Sequence, residues 1–276
     1  MQRFDVVKAS EFVKERVPEK PAIAILSTTG HEDLADQMDK CTTIKCSDVP
    51  GLPCPRTLGR QGALIFGYLG KKFTVIMPIR LHSYDGFTPQ ECTFNVRLLK
   101  ALGVTKVFLS AVAGQMNEKY NFGDFMLVTD HLHIPALFGR SALNGRTDEK
   151  FGPRLPLMQG IYSEEMRKLF KNVASRIEIK GRVHEGKYAF TSGPTCPTNA
   201  ELKFLRSLGA DAVGMDIGDE AMVAHQGGME VLAVMVMGDP SGSHLQKNGA
   251  DDVVKAIEES SMDLLSITEQ FVVQLQ

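Results

Sequence analysis

Arg80, His82 and Tyr84 alternate in the string Arg80-Leu81-His82-Ser83-Tyr84-Asp85-Gly86, directly after an apolar run at residues 73–77. The string brings together a fixed cation, an imidazole and a phenol. A guanidinium fork matches the geometry of phosphate or carboxylate. Taken alone, the same string also suits a surface loop. Ser110-Ala111-Val112-Ala113-Gly114 ends another apolar run in small residues. There the backbone can approach a ligand and donate N–H groups, although tight packing would use the same residues. Ser27-Thr28-Thr29-Gly30 fits an anion cradle or a plain turn.

Other chemistries find little support. The chain carries no Walker loop, G-x-G-x-x-G, G-x-S-x-G or H-E-x-x-H string. His131 and His133 would share one face of a strand, but no Asp, Glu or Cys ligand set accompanies them, so no metal is expected. Thirty-one basic residues nearly cancel 33 acidic ones, for a net charge of -2, which argues against a nucleic-acid partner. The five cysteines form no C-x-x-C pair and read as free thiols of a reducing compartment. The N-terminal residues mix charged with apolar types and do not read as a secretory signal. The longest apolar run, residues 231–237, is far too short for a bilayer, so a cytoplasmic protein with no membrane partner is expected.

The elements that must position these residues alternate between strand and helix. Ala9, Phe12, Val13 and Val17 mark a helical face, and residues 22–26 a buried strand. Residues 63–69 and 73–77 flank Gly70-Lys71-Lys72 as a hairpin. A helix is predicted over 89–102, closed by Gly103, followed by strands at 104–110 and 124–129. Residues 131–159 have no clean period and read as a long irregular segment. Ser163 caps a helix bearing Met166, Leu169, Phe170, Val173 and Ile177. After a strand at 187–191, Thr198 and Glu201 form a capping box, and that helix stops at Gly209. A strand at 231–237 and a long helix at 251–275 complete the chain. The alternation predicts one α/β domain over 1–276, with a mostly parallel sheet wrapped by helices. Ligands of such sheets sit beyond the carboxyl ends of the strands, here residues 27–31, 78–84, 111–114, 191–197, 214–216 and 238–240.

Over nearly its whole length the chain resembles the trimeric purine nucleoside phosphorylases and the related methylthioadenosine phosphorylases. The resemblance is carried by Arg80-Leu-His82-Ser-Tyr84-Asp-Gly86-Phe87, Ala111-Val-Ala-Gly114-Gln-Met-Asn117 and Gly123-Asp124-Phe-Met-Leu-Val-Thr-Asp130-His131. Phe151-Gly152-Pro153-Arg154, His184-Glu185-Gly186-Lys-Tyr188, Ser192-Gly193-Pro194-Thr195 and Gly209-Ala-Asp-Ala-Val-Gly214-Met215 continue it in order. It implies a twisted mixed sheet, partly barrel-like and surrounded by helices, of the phosphorylase/hydrolase type. It also implies phosphorolysis of a nucleoside to free base and ribose 1-phosphate in a homotrimer. Inorganic phosphate would be the co-substrate, with no other cofactor.

Residue by residue, the resemblance places Thr28, Arg60, Arg80, His82, Val112 and Asp216 around phosphate. It places Tyr84 and Met215 at ribose, with Phe151 lent to a neighbouring subunit's sugar pocket. Ala113, Gly114, Cys196, Pro197, Val213 and Asp239 fall around the base, and His82 and Asp239 are the candidate catalytic groups. Several of these depart from the family pattern. Cys196 and Pro197 replace an aromatic and a glutamate, Ala250 and Arg60 replace histidines, and Asp216 replaces a phosphate-contacting serine. A carboxylate about 4 Å from phosphate costs roughly 1–4 kcal/mol per charge pair, so Arg60 is expected to pair with Asp216. Asp239 stands in place of asparagine and implies a preference for 6-aminopurines. The departures also leave two other readings open: a weakened homologue that binds a nucleoside, base or other small ligand, and glycosyl transfer to water.

Overall fold

The computed structural model describes residues 5–27, 33–55, 62–78, 80–145, 149–240 and 251–276. In chain order its elements are α1 (Val6–Arg16), β1 (Ile23–Ser27), β2 (Asp39–Lys45), β3 (Ala63–Leu69), β4 (Lys72–Met77), α2 (Pro89–Cys92), α3 (Phe94–Ala101), β5 (Lys106–Gln115), β6 (Phe125–His133), α4 (Ile134–Leu137), α5 (Glu164–Ala174), β7 (Val183–Phe190), α6 (Asn199–Ser207), β8 (Ala212–Gly214), α7 (Gly218–Gln226), β9 (Glu230–Gly238) and α8 (Asp251–Gln274).

The strands form one nine-stranded sheet in the order β2-β3-β4-β1-β5-β8-β7-β6-β9, and β9 pairs back onto β5. That last pairing closes β5, β8, β7, β6 and β9 into a ring, and β2-β3-β4-β1 extends from it as an open wing. The ten-residue β5 is the pivot. Its first half lies between β1 and β9, with Ser110 opposite Ser27 on β1. Its last residues turn to β8, with Gly114 opposite Val213.

Residues alternate across β1, and each set faces a different core. Ala24 and Leu26 join one cluster with Val13 of α1 and Leu98 of α3. Ile23 and Ile25 join another with Phe170 of α5 and Phe271 of α8. Phe108 on β5 anchors the second cluster, with ring centroids 6.2 Å from Phe170 and 5.7 Å from Phe271. Each such fully buried side chain stabilises by about 1.5–3 kcal/mol. Both faces of the sheet are therefore covered, which leaves the strand tips for binding.

The sheet is more mixed than strand-helix alternation implied. Among the described residues, β1–β4, β1–β5, β5–β9, β6–β7 and β7–β8 pair in parallel. The pairs β2–β3, β3–β4, β5–β8 and β6–β9 are antiparallel. The helix expected over 89–102 is two helices. Thr93 breaks it with a non-helical backbone, and its hydroxyl bonds back to Pro89 O at 3.0 Å. The irregular stretch expected from residue 131 begins later, because β6 runs on to His133 and α4 follows at once. The strand expected at 187–191 starts earlier, at Val183.

Candidate active site

Arg80 follows β4, and its side chain is almost wholly buried among strand tips. Its Nε donates to Glu220 Oε2 at 2.8 Å, its Nη1 to Ser110 O at 3.2 Å and its Nη2 to Leu26 O at 3.4 Å. One guanidinium thus ties the ends of β1 and β5 to α7. Its Nη1 also lies 3.6 Å from Asp216 Oδ1. Glu220 is fixed in turn by Asn95 Nδ2 at 3.4 Å. Such a buried cation is tolerated only because its donors meet acceptors.

His82 stands two residues on. Its Nε2 is 2.6 Å from Asp216 Oδ1, and Asp85 Oδ2 lies 3.8 Å from Nδ1. An ionised carboxylate only accepts, so Nε2 carries the proton. The His82 ring stacks on Tyr84, with centroids 4.6 Å apart and planes 14° apart. Tyr84 reaches Gly193, where an added methyl would lie 2.9 Å from Tyr84 Cδ1 and would collide with Met215 Sδ. Gly193 sits at φ 63°, a conformation that favours glycine, so no side chain separates Tyr84 from Met215.

Asp216 is held from behind. Tyr188 Oη donates to Asp216 O at 3.0 Å and accepts from Asp216 N at 3.2 Å. Gly214 makes room for that phenol, since a Cβ there would lie 2.7 Å from Tyr188 Oη. Ile217, the next residue, has φ 62°, strained backbone for a β-branched side chain. Burial alone would raise the Asp216 carboxyl. The His82 hydrogen bond and the Arg80 charge outweigh it and hold the carboxyl below the ordinary range. Burial, with Asp216 and Asp85 nearby, pushes the Tyr84 phenol up to about 12.

Arg80, His82, Ser83, Cys92, Ser192, Met215, Asp216, Asp219 and Glu220 line a small cavity of about 20 Å³. A second cavity of about 440 Å³ lies beside it, between α4, α6 and the loop after β7. The two share Ser192.

The residues expected at the site divide into groups. Arg80, His82, Tyr84, Met215 and Asp216 come together, as just described. Gly114 pairs with Val213 and with Gly238, so Ala113, Gly114, Val213 and Asp239 gather at one corner of the ring. A Cβ on Gly114 would run into the Pro240 backbone, so the β9 exit lies directly against β5. Val112 lies beyond Ser110, the last β5 residue paired with β1. Pro197 lines the larger cavity, and Cys196 is a half-buried free thiol beside it. Phe151 packs against the first core cluster and lines neither cavity. Thr28, Arg60 and Ala250 lie outside the described residues, so the expected Arg60–Asp216 pair does too. The partners that Asp216 does have are Arg80 and His82 themselves. Sequence reasoning missed Glu220, Tyr188 and Asp219 as parts of this machinery. Tyr188 fell within a matched string, but nothing in its spacing signalled contact with Asp216.

His131 and His133 share a face of β6, with ring centroids 6.0 Å apart. His131 Nδ1 meets Tyr162 Oη at 2.6 Å, and His133 Nε2 meets Asp219 Oδ1 at 3.1 Å. Burial lowers the His131 pKa to about 4, so it stays neutral. Among the described residues no group of three or more His, Cys, Asp or Glu could hold a metal.

A partly closed α/β sheet with a buried arginine and a histidine at its strand tips, next to a nucleoside-sized cavity, defines a phosphorylase-type fold. Residues 22–273 match the phosphorylase superfamily. Purine nucleoside phosphorylase 1 of Geobacillus stearothermophilus is 35% identical over 273 residues, 99% of this chain and 98% of that protein. The rat purine nucleoside phosphorylase is 31% identical over 271 residues, 97% and 92% of the two chains. The structure of Schistosoma mansoni purine nucleoside phosphorylase in complex with adenosine superposes with a TM-score of 0.89 at 30% identity, covering 98% of this chain and 97% of that one. The chain belongs to the phosphorylase superfamily, within its purine nucleoside phosphorylase family.

Proposed function

We propose that this protein cleaves the N-glycosidic bond of a purine nucleoside with inorganic phosphate, releasing the base and ribose 1-phosphate. The observation that carries this reading is the convergence of Arg80 and His82 with Tyr84 and Met215 in one cleft. Positive and donor groups then hold the attacking oxyanion beneath the sugar, and Tyr84 and Met215, which meet at Gly193, hold the ribose. Catalysis comes from that placement and from stabilising charge as the base leaves. Asp239, at the exit of β9 against Gly114, is the group assigned to the base edge; it favours 6-aminopurines. Thr28, Arg60 and the Val112 backbone complete the phosphate shell, and no cofactor takes part.

The active unit is a homotrimer in the cytoplasm, with Phe151 supplied to a neighbouring sugar pocket. The segments around Phe151 support this. Leu137, Phe138, Leu155 and Leu157 are 72–86% exposed, large apolar side chains of the kind a second copy would cover. The free cysteines support a reducing compartment. Among the described residues no helix is long and apolar enough to cross a membrane.

The test is cleavage of inosine, guanosine and adenosine with and without phosphate, with product identified as ribose 1-phosphate. Arsenate should replace phosphate and yield free ribose. A second reading, transfer to water or binding without turnover, draws on the Asp216–His82 contact. It predicts phosphate-independent ribose or no product at all.

A further inference from the structure

The anion seat of this protein is built from donors on one side and an acceptor on the other. Arg80 cannot swing away, because Glu220, Ser110 O and Leu26 O hold three of its nitrogens. Asp216 cannot retreat easily either, because Tyr188 bonds both polar groups of its backbone. Asp216 Oδ1 takes the contacts to both His82 and Arg80. The cavity these groups help to line has about 20 Å³ of room, enough for one water. An anion that accepts from both His82 and Arg80 competes for them with Asp216, which already meets His82 at 2.6 Å and Arg80 at 3.6 Å.

The geometry points to Asp216 as the residue that makes this seat selective for a protonated tetrahedral oxyanion, phosphate or arsenate, against a fully deprotonated one, sulfate. The inference rests on the phosphorolysis reading, since it concerns the same seat, and it adds how the anion is chosen. A bound phosphate accepts from His82 Nε2 and Arg80 Nη1 through its bare oxygens. Near neutrality it keeps at least one proton, and that O–H donates to the Asp216 carboxylate in a short charge-assisted bond. Sulfate has only acceptors. Against Asp216 it would leave two facing sets of lone pairs unpaired, a clash that works as negative selection. The remaining charges act in the same sense. Asp219 and Glu220 line the same cavity, Asp85 flanks His82, and among the described residues Arg80 is the one Lys or Arg that lines it. The carboxyl stays ionised, and so acceptor-only, through the neutral range.

The experiment is titration calorimetry at pH 7 of the full chain with sodium phosphate, arsenate and sulfate, run on wild type, Asp216→Ser and Asp216→Asn. Phosphorolysis is assayed in parallel, and circular dichroism checks the fold. Wild type should bind phosphate and arsenate at least roughly thirtyfold more tightly than sulfate, the scale set by the penalty for leaving a buried polar group unpaired. Serine can donate, and so can an asparagine amide, so both variants should shrink that ratio to within about threefold, mainly by gaining sulfate. If serine unfolds the protein, the isosteric asparagine still decides. Wild type binding sulfate as well as phosphate, wild type binding neither ion, or an unchanged ratio in the folded variants would each overturn the proposal. Selective anion binding without nucleoside cleavage would leave it standing and remove the phosphorolysis reading instead.

Discussion

The hydroxyl of Tyr188 serves both backbone groups of Asp216, donating to its carbonyl at 3.0 Å and accepting from its amide at 3.2 Å. Tyr188 is fully buried in the ring, so no water can replace that hydroxyl cheaply. The contact links a core side chain on β7 directly to the position of a carboxylate in the cleft.

Tyr188→Phe should therefore cost about 1–3 kcal/mol, the penalty for leaving buried backbone groups unpaired. Urea denaturation would show it as a lower midpoint with unchanged slope. Freed from this clamp, Asp216 should also lose its fixed distance to His82, and the KM for phosphate should change more than that for nucleoside. A variant as stable as wild type would mean that relaxation or water satisfies both groups.

Asp216 makes stability depend on acid pH. Its folded pKa lies below the unfolded value of about 3.9, so its contribution is fully present above that value. It is lost as pH falls further, through the lowered folded pKa, where the native state must also take up the proton. Melting temperatures of wild type and Asp216→Asn should differ by a constant amount well above about pH 3.9 and draw steadily closer as pH falls below it. A gap that did not narrow at all below that pH would place the effect in packing rather than charge.

Arg80 should resist even conservative change. Lysine carries a single charged nitrogen and cannot serve Glu220, Ser110 O and Leu26 O together. Arg80→Lys should destabilise the fold by about 3–5 kcal/mol, the scale for leaving a buried ion unpaired, and abolish phosphate-dependent turnover. The double variant Arg80→Met with Glu220→Leu should recover much of the stability and none of the activity. Thermal melts and initial rates on the same samples separate the two effects.

The pattern of what could be read in the sequence has a physical basis. β9 and β4 were legible because a strand buried on both faces shows as a continuous apolar run. The cap of α6 was legible because Thr198 and Glu201 satisfy each other three residues apart. By contrast β2 exposes every residue except Ile44, so it carries no alternation to detect. The short α7 is buried on nearly all sides and presents no apolar stripe. The site followed the same logic. Arg80, His82 and Tyr84 are neighbours in the chain and were found together. Glu220 lies 140 residues from Arg80, and no spacing rule reaches it. Asp216 was recognised as a charge in need of a cation, and the ones it meets are the expected phosphate ligands.

Gly193 offers a test that separates the proposed sugar contacts from the proposed anion contacts. Its φ of 63° and the proximity of Tyr84 and Met215 leave no space for a methyl. Gly193→Ala should push those two side chains apart and raise the nucleoside KM roughly tenfold, on the scale of about 1–3 kcal/mol for overpacking. The KM for phosphate should stay within about twofold, because Arg80 and Asp216 are braced from the other side by Glu220 and Tyr188. Equal losses for both substrates would show that the two halves of the cleft move as one.

The base edge provides the last test. Asp239 leaves β9 where Pro240 presses on Gly114, so its backbone position is set by the closest approach of two ring strands. A carboxylate there accepts from a 6-amino group and repels a 6-oxo group. An asparagine amide can turn either its donor or its acceptor toward the base. Asp239→Asn should therefore shift the ratio of kcat/KM for adenosine over inosine toward inosine by roughly tenfold, about the value of one recognition hydrogen bond. Steady-state kinetics with both nucleosides at saturating phosphate measure it. Should the ratio hold while both rates fall together, Asp239 would act on the common step of base departure instead of on the choice of base.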